Sequence, residues 1–125
     1  MTPFLFLAVA LAGGLGAVAR FFVDGVLRST LRVPFPLGTT VINVGGSLFL
    51  GLVTGLALGH LVSSEWHLVL GGGLLGGFTT FSTASVETVR LLQQRRYGPA
   101  LVVGLGMLVA SVLAAGLGLW LGLSF

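Results

Sequence analysis

The chain has 125 residues, of which 55% are hydrophobic and 7% charged, and its mean hydropathy is +1.10. A soluble domain carries about 25% charged residues, so the composition excludes a water-soluble fold and describes one membrane-embedded domain over residues 1–125. Six basic residues against three acids give a net charge of +3, and the lack of cysteine excludes disulfides and thiolate metal sites.

Four apolar spans are predicted, at about 4–25, 39–59, 68–89 and 100–123, each long enough to cross a bilayer as a helix. Ala8-Val9-Ala10 resembles a small-residue cleavage site. The preceding residues lack a basic region and the apolar run continues past it, so cleavage is not expected. Short connectors join the spans: Arg28 to Gly38 with Pro34 and Pro36, His60 to His67, and Arg90 to Pro99.

Every basic residue is an arginine at the end of a span. Arg20, Arg28 and Arg32 flank the first connector, and Arg90, Arg95 and Arg96 flank the third. Arginine of this placement sets topology, not nucleic-acid binding. The positive-inside rule puts both connectors in the cytoplasm and both termini outside a cell membrane. Gly51, Gly55 and Gly59, and again Gly118 and Gly122, repeat as G-x-x-x-G, a spacing that lets helix backbones approach closely. Four thin helices enclose little space, so an oligomer is expected.

The third span departs from a plain membrane helix. Gly71-Gly72-Gly73-Leu74-Leu75-Gly76-Gly77-Phe78-Thr79-Thr80-Phe81-Ser82-Thr83 gathers glycines, hydroxyls and two phenylalanines in its middle. At about 1.5 Å per helical residue, Leu68 to Val86 spans roughly 28 Å and puts Thr79 near the midplane. Irregular backbone at that depth survives only where protein or a water-filled path satisfies it. A break there points to an ion-binding or permeation site.

Asn43 is the amide of the second span, and Thr39, Asn43 and Ser47 are four apart on one helix face. An unpartnered amide in hydrocarbon is costly, so Asn43 either bonds a neighbouring helix or lines a pore. Thr79, Thr80, Ser82, Thr83 and Ser85 offer a second row of hydroxyls. Phe78 and Phe81 straddle the break and either face lipid or present electropositive ring edges to a small anion. Arg20 either snorkels to the interface or attracts anions at a vestibule. Asp24 is spaced to pair with Arg20, and Glu87 with Arg90. His60, Glu65 and His67 read as a solvated loop, since a metal site needs convergent ligands. Catalytic motifs are absent, so an enzyme is not expected.

Gly13-Gly14-Leu15-Gly16-Ala17-Val18-Ala19-Arg20-Phe21, Gly38-Thr39-Thr40-Val41-Ile42-Asn43 and Gly76-Gly77-Phe78-Thr79-Thr80-Phe81-Ser82-Thr83 closely resemble the CrcB/Fluc fluoride channels, and the resemblance covers nearly the whole chain. It implies an all-α fold of four transmembrane helices, the third broken at mid-membrane, assembled as an antiparallel dimer. It also implies passive export of fluoride through pores lined by Asn43, Phe81, Ser82 and Thr83. A structural sodium ion would be held by the backbone carbonyls of Gly76 and Thr79. Arg20 matches the family's arginine at the end of the first helix.

Two positions depart from that pattern. The second phenylalanine of the family's pair is Ala84 here, and the tyrosine often found on the fourth helix has no counterpart. The one-sided arginines further predict a single insertion direction. The antiparallel partner is then either a second copy or an oppositely oriented homologue. A four-helix drug/proton exchanger and a non-conducting assembly subunit are the alternatives. The exchanger would need an intramembrane carboxylate, which the span interiors lack.

Overall fold

In hydrocarbon a chain must satisfy its own backbone hydrogen bonds, which a helix does within one segment. The computed structural model describes residues 2–30 and 37–125, and every regular element among them is helical. Helix α1 (Pro3–Thr30) starts where Pro3 needs no amide partner, and the Thr2 hydroxyl accepts from Leu5 N–H at 3.1 Å. Helix α2 covers Leu37–Leu58. The last crossing is a continuous rod built of α6 (Tyr97–Leu101), a π-helical stretch (Val102–Gly106) and α7 (Met107–Leu123).

Three helices among the described residues are long and apolar enough to cross a membrane: Pro3–Thr30, Gly38–Leu58 and Tyr97–Leu123. The predicted third span is built from pieces. Helix α3 (Ser64–His67) runs into a π-helical stretch (Leu68–Leu75) and α4 (Gly76–Phe78), and α5 (Phe81–Gln93) follows after two extended residues. The first and last helices outrun their predicted spans, to Thr30 and from Tyr97. Polar residues stop an apolar run without stopping a helix, and Pro99 sits in a first turn that tolerates it. Arg32, Pro34 and Pro36 of the first connector lie outside the described residues.

Glycine sets the packing. A methyl placed on Gly73 would stand 2.8 Å from the Val9 carbonyl oxygen, one on Gly77 would collide with Gly13, and one on Gly16 with Leu74. On the other side, Gly51 faces Ala115 and Leu119, Gly55 faces Leu119 and Gly122, and Gly118 faces Leu48 and Leu52. The two predicted G-x-x-x-G faces therefore meet each other, while Gly59 meets only its own helix. Residue numbers rise together across both seams, so α1 runs parallel to the third span and α2 parallel to α7. The described N-terminal residues, the C-terminus and the middle connector consequently lie at one end of the bundle, with Arg28, Arg90, Arg95 and Arg96 at the other.

Little is buried within one chain: Ile42 is 2% exposed, whereas Phe4, Phe21 and Trp120 are 81%, 83% and 65% exposed. Such apolar residues face lipid in a multi-pass membrane protein.

Candidate functional site: the broken helix and its polar seam

Thr79 (φ −80°, ψ 159°) and Thr80 (φ −148°, ψ 110°) interrupt the third span with extended backbone. The interruption is held from α2. Thr80 N–H donates to Asn43 Oδ1 at 2.8 Å, and Asn43 Nδ2 donates to the Thr80 carbonyl at 3.0 Å. The amide side chain thus pairs with both main-chain groups of one residue, as a neighbouring strand would, and so satisfies the extended backbone at the break. Asn43 Nδ2 also reaches Met107 Sδ at 3.2 Å.

The break redirects two amides. In an unbroken helix Thr80 N–H would bond the Gly76 carbonyl and Thr83 N–H the Thr79 carbonyl. The first goes to Asn43 instead, and the second to Thr80 Oγ1 at 3.2 Å. Thr80 is thereby the N-cap of α5. Its hydroxyl donates to Thr83 Oγ1 at 3.0 Å and stands 3.3 Å from Ser82 Oγ. Upstream, Thr79 keeps both its N–H and its hydroxyl on the Leu75 carbonyl, at 2.9 and 3.0 Å.

Thr80, Thr83 and Glu87 recur at i, i+3 and i+7, one face of α5. Opposite them on α2 are Asn43 and Thr39, and Thr39 Oγ1 donates to Glu87 Oε1 at 2.8 Å. Thr39 and Thr80 are 2% and 7% exposed. A seam of hydroxyls and one amide therefore runs from the break toward the arginine-bearing end. A cavity of about 290 Å³ opens beside it, lined by Asn43, Ser47, Gly76, Thr79, Phe81, Ala84, Met107 and Ser111 among others.

The residues singled out from sequence gather here in large part. Thr39, Asn43 and Ser47 do share a face. Gly76 and Thr79 line the cavity, Phe81 is 87% exposed at its edge, and Ala84 leaves its wall low. Ser82 is exposed and Thr83 half-buried. Arg20 is half-buried on α1 and does not line the cavity.

Both expected ion pairs are replaced. The one salt bridge among the described residues joins Asp24 Oδ2 to Arg28 Nε at 3.0 Å. Arg20 precedes the acid, whereas Arg28 follows it, and the acid-first order is the favourable one at i,i+4. Glu87 turns inward to Thr39 instead of outward to Arg90. The middle connector is also more ordered than a solvated loop: His67 Nε2 lies 3.0 Å from Thr54 Oγ1 on α2. Sequence reasoning did not foresee Met107 or the central place of Thr80. The latter had a signal, a threonine, a favoured N-cap residue, just after the glycine-weakened stretch.

Residues 7–122 match the family model described as CrcB-like protein, Camphor Resistance (CrcB). The chain is 66% identical to "Fluoride-specific ion channel FluC 1" of Leifsonia xyli subsp. xyli, over 98% of this chain and 89% of that one. It is 58% identical to "Fluoride-specific ion channel FluC 2" of Cutibacterium acnes, over 91% and 94%. It is 41% identical to a "Fluoride-specific ion channel FluC" of Thermus thermophilus, over 94% of both.

Proposed function

The chain belongs to the CrcB/FluC family, and we propose that it is a fluoride-specific ion channel of the cell membrane that lowers cytoplasmic fluoride by passive export. The relatives' names support the ion, and the Asn43–Thr80 junction supports the path. A small, strongly hydrated anion leaves water only where fixed hydrogen-bond donors replace its shell. The amide, the hydroxyls of Ser82 and Thr83 and the edge of Phe81 are such donors, and none carries a charge that would hold the ion in place.

A homologous chain in antiparallel orientation would complete the path, since one chain leaves the cavity open. Numbered names such as FluC 1 and FluC 2 among the relatives and the shortened wall at Ala84 favour a partner that is a distinct homologue. Under this reading the partner's phenylalanine lines the surviving pore. The redirected amides take the usual helical donors from the Gly76 and Thr79 carbonyls, and both residues line the cavity; such oxygens suit a hard cation. A sodium ion held there would act as a structural tie between two chains and would not be transported.

Fluoride efflux from liposomes tests the proposal. Efflux at neutral pH that rejects chloride and needs no proton gradient is expected, either from this chain alone or with an oppositely biased homologue. Proton-driven or chloride-permeable efflux would overturn it.

A further inference from the structure

Resting on the fluoride-channel reading, we propose that Met107 is a positioning residue: its thioether holds the one exchangeable donor of Asn43 until an anion takes its place. The orientation of the Asn43 amide is fixed by chemistry. Thr80 N–H can only donate, so the atom facing it at 2.8 Å is Oδ1. Nδ2 then gives one hydrogen to the Thr80 carbonyl at 3.0 Å. Both of these bonds hold the helix break and are lost only if it moves. The second hydrogen of Nδ2 goes to Met107 Sδ at 3.2 Å.

Sulfur is a weak acceptor, and this sulfur sits where exchange is possible. Met107 is 6% exposed and shares the 290 Å³ cavity with Asn43, Phe81 and Ala84. A buried N–H needs some partner, and the thioether supplies one whose loss costs little. A fluoride arriving from the cavity forms a charge-assisted bond with the same hydrogen, about twice as strong as a neutral one. Asn43 therefore offers a donor to the ion without releasing Thr80. Methionine also bends readily, so the sulfur can withdraw without backbone motion.

Two nearly isosteric variants separate this role from simple packing. Met107→Leu removes the acceptor and keeps the volume; Met107→Gln supplies a carbonyl oxygen that competes strongly for the hydrogen. Efflux measured against fluoride concentration should show half-saturation falling several-fold in the leucine variant, with maximal rate within about twofold. In the glutamine variant half-saturation should rise roughly tenfold, the scale of one neutral hydrogen bond. Melting curves confirm that both variants fold, and if the glutamine form does not, the leucine arm decides alone. Half-saturation unchanged in Met107→Leu, or equal in the two variants, would overturn the proposal while leaving the channel reading intact. Absence of fluoride-specific efflux from the unaltered protein, with and without a homologue, would overturn both.

Discussion

Asn43 and Thr80 exchange two hydrogen bonds, 2.8 Å from the Thr80 amide to the Asn43 oxygen and 3.0 Å from the Asn43 nitrogen to the Thr80 carbonyl. A side chain of one helix thus completes the backbone of another, and the shape of the break depends on it. Asn43→Asp keeps the acceptor and loses both donors, and it places a carboxylate opposite the Thr80 carbonyl. The variant is expected to lose fluoride efflux at least about 100-fold, with stability lowered by about 1–3 kcal/mol for the carbonyl left unpaired. A fluoride electrode and a melting curve measure the two effects separately.

Thr80 caps α5 through its hydroxyl. Thr80→Val preserves shape and removes the cap, so it should cost about 1 kcal/mol of stability. Thr80→Ser keeps the oxygen and should stay close to the unaltered protein. Equal melting temperatures for the two variants would refute the capping role.

Glycine substitutions should divide sharply by position. Gly118→Ala drives a methyl into the Leu48 carbonyl, while a methyl on Gly116 meets nothing within 4 Å. The first should destabilise by about 1–3 kcal/mol. The second should be neutral or stabilise by up to about 1 kcal/mol, because alanine favours a helix over glycine. Chemical denaturation in detergent compares them directly.

Sodium should matter through assembly. Replacing sodium with a bulky organic cation should lower efflux and loosen the association between chains, measured by size-exclusion chromatography. Full activity and unchanged association without sodium would remove the role given to the Gly76 and Thr79 carbonyls.

Reporters fused to either end should both be found outside the cell, as the one-sided arginines require. Signal from both sides of the membrane would show dual insertion and favour pairing with a second copy.

Much of this architecture can be read from residue order. Spans, the weak point at Thr79 and the shared face of Thr39, Asn43 and Ser47 follow from local spacing, which a helix converts directly into geometry. Partners across spans do not follow. Nothing near Met107 marks it as an acceptor for an amide 64 positions away, and Glu87 has an arginine three residues on yet bonds a threonine on another helix. Asp24 has an arginine four residues away on each side, and the choice between them depends on helix direction. The break itself was legible because glycine and threonine weaken a helix wherever they stand. What holds it open was not, since that is decided by which helix lies opposite.

The two glycine seams have a consequence for biogenesis. Neighbours along the chain are not the glycine-seam partners: α1 matches the third span, and α2 matches the last. When the first hairpin leaves the ribosome, both of its glycine faces still point at lipid. The α2 face stays uncovered until the final helix has been synthesised and inserted. A chain truncated ahead of Met107 would lack the whole of α7 and leave the α2 glycine face without its mate.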